Sequence, residues 1–207
     1  SIAKEVEDEI EKDNPYANKE EISLKKLQKF KEINEDVVAY IEIPGTYVNY
    51  PVVQAEDNDF YLRRGLDKEY DIAGSLFLDA INDGKFNDEN SVIYGHHLEI
   101  DSMFTVLDGY RKEDFANSHK TIYLTTEEGL REYQIFSAYG TPQSDNYRTI
   151  NFAYPEDKIA YFNEKKNKSE VDMGEVDFTT LDQFLTLSTC QYDYNDQRLA
   201  VHAVRVK

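Results

Sequence analysis

The chain has one cysteine, Cys190, and four histidines, so the search for a nucleophile and its acid–base partner is short. Cys190 closes the apolar run Phe184-Leu185-Thr186-Leu187-Ser188-Thr189-Cys190. Arg198 opens the next one, Arg198-Leu199-Ala200-Val201-His202-Ala203-Val204. A thiol at the end of a strand is held in place yet reachable from a loop-side cleft. A permanent cation beside it lowers the thiol pKa and favours the nucleophilic thiolate. The same guanidinium can hydrogen-bond the oxyanion formed when a thiolate attacks a carbonyl. At about 4 Å and an effective dielectric near 20, such a pair gains roughly 4 kcal/mol before desolvation. Each residue alone has a plainer reading: a lone cysteine is commonly a small buried apolar residue, and Arg198 a strand-end charge.

The histidines are not equivalent. His96 and His97 follow Ser91-Val92-Ile93-Tyr94-Gly95, a strand ended by glycine. A sharp turn there would project an imidazole over the mouth of a barrel. Spacing does not say which of the two acts. His119, among Asn117, Ser118 and Lys120, reads as a residue of a solvated loop. His202, in mid-strand, reads as a packed or surface side chain.

The elements that must position these groups are mostly short strands. A hairpin of 184–190 with 198–206 would put Cys190 and Arg198 side by side, with 191–197 as its turn. Other strand-like segments lie at 37–43, 47–53, 75–78, 91–94, 121–125 and 133–139. Such spacing predicts a sandwich or barrel rather than a doubly wound parallel sheet. Helical patterns stand at the front. Ile2, Val6 and Ile10 recur every four residues. Asn18 and Glu21 have capping-box spacing ahead of a face of Leu24, Leu27, Phe30 and Ile33. Residues 103–107 and 155–168 also look helical, the latter with Pro155 in its first turn. It lies in a long connection, 145–178, and a connection of that length in a compact domain is often functional. The simplest division is a helical N-terminal appendage, 1–35, and one domain, 36–207.

Composition narrows the partners. Among 207 residues, 41 Asp and Glu against 23 Lys and Arg leave a net charge of −18, which repels nucleic acid and anionic membrane. A single cysteine excludes a disulfide framework within the chain and a cysteine-rich zinc site. No apolar stretch has the length of a membrane span, and no signal peptide is visible.

Taken together, these residues resemble the sortase family. Leu187-Ser188-Thr189-Cys190 followed by Arg198 is similar to that family's apolar-x-Thr-Cys strand with its later arginine. Ser91-Val92-Ile93-Tyr94-Gly95-His96 looks like its histidine strand. Tyr50-Pro51-Val52-Val53-Gln54, Asp57-Asn58-Asp59-Phe60-Tyr61-Leu62 and Ala73-Gly74-Ser75-Leu76-Phe77-Leu78-Asp79 are similar to class B members. The resemblance covers residues 20–207 in order.

It implies a mainly β fold: a closed eight-stranded barrel with N-terminal helices and a helix in the loop before the cysteine strand. It implies Cys190 as nucleophile, His96 as general acid and Arg198 as oxyanion or substrate clamp, and gives His97 no role. Asn58 and Leu62, four apart on an expected helix, match substrate-groove positions, and Ser188 and Thr189 would flank the sulfur. The implied reaction is acyl transfer. A sorting signal of the Leu-Pro-x-Thr-Gly or Asn-Pro-x-Thr kind is cleaved after Thr, and a cell-wall amine resolves the thioester. With unperturbed pKa values, thiolate and imidazolium coexist in only about 1% of molecules at pH 7. No metal or cofactor is implied. The expected setting is the outer face of a Gram-positive cell membrane, with an N-terminal anchor on the full-length protein. Peptide preference is expected from side chains on the 145–178 connection.

Three rivals are weaker. Papain-like enzymes and cell-wall amidases place Cys before His, whereas here His96 comes first. Caspase-like enzymes share this order but not the Gln-Ala-Cys-x-Gly pattern. A non-enzymatic extracellular β-domain, binding through its many tyrosines, leaves the spacing of His96, Cys190 and Arg198 unexplained. Within the family, a pilin-polymerising enzyme is the alternative to one that anchors surface proteins. No Asp-Pro lid motif precedes Val37, which favours anchoring.

Overall fold

In a computed structural model the described residues are 2–189 and 197–207. Cys190 and the predicted turn after it, through Asp196, lie outside them. Eight strands are seen among the described residues: β1 (Val37–Glu42), β2 (Asn49–Val53), β3 (Leu76–Leu78), β4 (Asn90–Gly95), β5 (Thr121–Thr126), β6 (Gly129–Pro142), β7 (Phe184–Thr189) and β8 (Gln197–Arg205). They close into a barrel in the order β1-β2-β3-β4-β7-β8-β6-β5. The expected eight-stranded barrel is therefore present, and closure leaves no unpaired sheet edge.

Most neighbours are antiparallel, and the predicted hairpin exists as β7 against β8, with Leu187 opposite Val201 and Ser188 opposite Ala200. Two pairs are parallel: β2 with β3, and β4 with β7. In the second, the strand before His96 and the strand before Cys190 run side by side for their whole length, from Asn90 opposite Phe184 to Gly95 opposite Thr189.

The barrel interior is filled by branched and aromatic side chains, among them Ile41, Val52, Leu78, Ile93, Leu124, Ile135, Leu185, Leu187 and Val201. Strand β7 is covered outside as well. Phe184 stacks on Phe162 of α4 (Pro155–Asn167), their ring centroids 3.6 Å apart. Burial on both faces explains why this segment reads as an unbroken apolar run.

Two helices precede the barrel, α1 (Ile2–Asp13) and α2 (Lys19–Ile33). The capping box is formed: Asn18 Oδ1 accepts from the Glu21 amide and the Glu21 carboxylate from the Asn18 amide. Leu27 and Phe30 pack against Val37, Tyr40 and Val53, anchoring α2 to the outside of the first two strands. Burying two such side chains stabilises that contact by about 1.5–3 kcal/mol each. The predicted helix face is partly corrected. Ser23 and Lys26 are buried instead of Leu24 and Ile33, and Ile33 is 48% exposed at a surface cleft beside Tyr50 and Leu66. Lys26 is tolerated there because its aliphatic stem is covered while its ammonium reaches Glu7 at 3.3 Å and the Tyr40 ring.

After β4 come a 3-10 segment, Thr105–Arg111, and the short helix α3 (Glu113–Ser118), so the helical pattern near 103–107 begins later and runs further than expected.

Candidate active site

Strand β4 ends at Gly95, and His96 follows as a buried side chain, 3% exposed. The glycine is required for a different reason than a turn. Its φ is not in the left-handed region. A Cβ there would lie 2.4 Å from Leu76 Cδ2 and 2.7 Å from Phe104 Cδ2. Two buried side chains close over the backbone, and only hydrogen fits between them. The segment beyond is pinned as the Phe104 amide donates to the His96 carbonyl at 2.9 Å.

The His96 ring is oriented by a backbone acceptor. Its Nε2 lies 2.5 Å from the carbonyl oxygen of Leu62. A carbonyl only accepts, so Nε2 carries the proton and Nδ1 is left as the basic atom. Burial holds the His96 pKa below the ordinary 6.5; the Leu62 carbonyl works against that and the nearby Arg63 cation adds to it.

His97 is half-buried, with its Nε2 against the Asp108 carboxylate. His119 is not the solvated loop residue expected. It stacks on Phe115 at 4.1 Å and its Nδ1 bonds the Phe115 carbonyl. His202 is fully buried, Nδ1 on the Thr186 hydroxyl and Nε2 on the Tyr139 hydroxyl, both at 2.8 Å.

Leu62 belongs to a 3-10 turn, Phe60–Arg63, and Asn58 lies just before it. The expected helix spanning Asn58 and Leu62 is thus absent, because Asp57 caps the tighter turn by accepting the Asp59 and Phe60 amides. The two residues still meet. Asn58 and Leu62 line one cavity of about 140 Å³ with Thr189, Arg198, Gln143, Tyr94 and Arg148. Asn58 Oδ1 is used in holding the Ala80 amide at 2.8 Å, which leaves its Nδ2 as a donor.

Thr189 and Arg198 are buried at 2% and 6% exposure. Thr189 Oγ1 accepts from the Leu199 amide at 2.9 Å, so a side chain continues the β7–β8 ladder where the backbone pairing stops. Arg198 sits opposite Thr141 of β6, and its Nη2 donates to Gln143 Oε1 at 3.1 Å. Ser188 is placed differently from Thr189. It is fully buried, does not line the cavity, and bonds the Tyr147 hydroxyl and the Thr189 carbonyl, both at 3.1 Å.

Four of the seven sequence-predicted site residues therefore line one cavity. His96 is tied to it through Leu62, Ser188 sits behind it, and Cys190 lies outside the described residues, next in sequence after Thr189. Tyr94, Gln143 and Arg148 were missed. Tyr94 lay within the histidine-strand motif, and the other two sit at the opening of the long connection, where no pattern singles out one side chain.

Known proteins with the same arrangement decide its class. The family pattern described as "Sortase domain" matches residues 41–206. The chain belongs to the sortase family. It is 36% identical over 183 residues to Sortase B of Staphylococcus aureus, a match covering 87% of this chain and 75% of that protein. To Sortase B of Listeria monocytogenes it is 36% identical over 182 residues, covering 86% and 72%. A solved Staphylococcus aureus sortase B–substrate complex superimposes with a TM-score of 0.86 at 32% identity, over 100% of this chain and 93% of that one. The enzyme is a cysteine transpeptidase of the class B type that anchors surface proteins, and such enzymes work at the surface of Gram-positive cells. No observation favours the pilin-polymerising or non-enzymatic readings.

Proposed function

We propose that Cys190, His96 and Arg198 carry the reaction and that the cavity beside Thr189 receives the sorting-signal peptide. The observation that supports this most is the double use of Leu62. Its carbonyl holds the His96 ring, while the residue lines the cavity shared by Thr189 and Arg198. The parallel register adds to it, since Gly95 and Thr189 are partners and each immediately precedes a proposed catalytic residue.

The steps balance as acyl transfer. The Cys190 thiolate adds to the carbonyl carbon of the sorting signal's Thr, and the Arg198 guanidinium hydrogen-bonds the resulting oxyanion. His96, protonated at Nδ1, gives that proton to the departing nitrogen as the C–N bond breaks, leaving a thioester. A cell-wall amine then attacks the thioester carbon. Its proton passes to His96 and the thiolate leaves, restoring the starting forms. A thioester suits this sequence because an amine competes with water for it. Asn58 and Leu62 would line the bound peptide, Thr189 would brace the acyl group, and Ser188 would support Thr189 from behind.

The peptide is taken to be of the Leu-Pro-x-Thr-Gly or Asn-Pro-x-Thr kind. No helix among the described residues is long and apolar enough to cross a membrane. On the family resemblance alone, the full-length protein is proposed to be membrane-anchored through an N-terminal segment, with the barrel on the outer face. Phase partitioning of the full-length protein tests that point.

The decisive experiment is a screen of fluorogenic sorting-signal peptides with and without a short amine peptide. Wild type should cleave one of them and ligate the amine, and Cys190→Ala should do neither. Cleavage undiminished in Cys190→Ala overturns the assignment of the nucleophile.

A further inference from the structure

A second, wider cavity of about 540 Å³ adjoins the first and runs past Asn146 and Ile150, away from Thr189 and Arg198. Arg148 lines both. Its guanidinium lies over two aromatic faces, 5.0 Å from the centroid of Tyr147 and 5.9 Å from that of Tyr94. Rings on its flat side fix the plane of a guanidinium and leave its N–H edge for hydrogen bonding.

The carboxylates around Arg148 bond other groups directly, and Asp79 reaches its charge only at longer range, beside the Tyr94 hydroxyl that Arg148 also contacts. Asp79 accepts from the Tyr94 hydroxyl at 2.6 Å and from the Ile81 amide at 3.0 Å. Asp145 accepts from the Thr141 hydroxyl at 2.8 Å and pairs with Lys168 at 3.9 Å. Asp59, which lines the narrower cavity, is exposed. Among the described residues no carboxylate oxygen lies within 4.0 Å of the Arg148 guanidinium nitrogens. A half-buried, pre-oriented cation on the wall of a groove is a receptor for a planar anion, which it binds through two parallel hydrogen bonds.

We propose that Arg148 selects a carboxylate side chain, Asp or Glu, in the sorting-signal peptide on the N-terminal side of the cleaved bond. This rests on the groove assignment made above. The N-terminal side follows from the chemistry: that part stays attached as the acyl chain through both steps, whereas the other part departs after the first. A residue that grips the retained part serves both steps. In a chain with a net charge of −18, an acidic peptide is repelled at long range, so its acceptance needs a local cation of this kind.

The test uses peptide pairs differing only by Glu or Gln at each position upstream of the cleaved Thr. Wild type should prefer Glu at one position by about tenfold in kcat/KM, mostly through KM, and salt should shrink that preference. Arg148→Gln should bring the Glu-to-Gln ratio to near one, and Arg148→Glu should favour Lys at the same position. Because each ratio is taken within one enzyme, a general loss of activity cancels. A ratio near one at every position in wild type overturns the Arg148 proposal and leaves the groove assignment standing. Survival of the preference in Arg148→Gln, or an equal loss on every peptide as from a backbone contact, also overturns it. Failure of wild type to cleave any peptide removes the groove assignment together with it.

Discussion

Leu62 holds His96 by its backbone: the carbonyl oxygen of the one accepts the Nε2 proton of the other at 2.5 Å. That bond selects the tautomer, and burial with Arg63 nearby keeps the ring harder to protonate than a free histidine. The acidic limb of the kcat/KM profile should therefore lie below pH 6.5. Replacing Arg63 by Met removes a repelling cation and should move that limb upward by a fraction of a pH unit. The limbs are macroscopic values of the proposed thiol–imidazole pair. A limb at or above 6.5 in wild type, or one that falls in Arg63→Met, contradicts this picture.

Gly95 is gripped between Leu76 and Phe104. Gly95→Ala should cost about 1–3 kcal/mol of stability through overpacking. It should also lower kcat/KM by more than the loss of folded enzyme explains, because the displaced residue immediately precedes His96. Urea denaturation beside peptide cleavage separates the two effects. Activity scaling only with the folded fraction would mean that His96 tolerates the shift.

Thr189 closes the ladder between β7 and β8 with its hydroxyl. Thr189→Val keeps the shape and strands the Leu199 amide without its acceptor, at a cost of about 1–3 kcal/mol. Thr189→Ser should restore most of it. Equal stability of Val and Ser variants in chemical denaturation rules out this function for the hydroxyl.

His202 gives a prediction about stability alone. Its complete burial lowers the pKa from the ordinary 6.5 to about 3. The folded state thus refuses a proton that the unfolded chain accepts. Stability from this group is intact above pH 6.5 and is lost as pH falls from 6.5 toward 3, by up to about 1.4 kcal/mol per pH unit. His202→Gln removes the titrating group, so the drop in unfolding free energy between pH 7 and pH 5 should be smaller in the variant. An unchanged drop would assign the acid sensitivity to carboxylates alone.

Much of this architecture was legible in the residues themselves. Alternation and turn residues marked the strands, and the unbroken run before Cys190 marked one covered on both faces. The capping box and Pro155 marked the helices. What pattern could not give was the third dimension. Asn58 and Leu62 looked like one helix face, yet Asp57 winds the segment into a tighter turn, and they converge on the cavity by another path. Gly95 looked like a hinge and is a spacer, a distinction that depends on Leu76 and Phe104 from other segments. Arg148 carried no local signal, because its meaning comes from the two rings beneath it.

The side-by-side course of β4 and β7 also sets the order in which the enzyme can come into being. Those strands are joined through nearly half the polymer, including β5, β6 and α4. The imidazole emerges early from the ribosome and the sulfur late, so no nascent fragment shorter than 190 residues holds both. Bringing distant strands into register is entropically slow, and the proposed catalytic set is complete only when β7 and β8 join the barrel. A chain cut short anywhere before β7 lacks the proposed nucleophile, and its His96 strand is flanked by a gap in the wall where β7 should run.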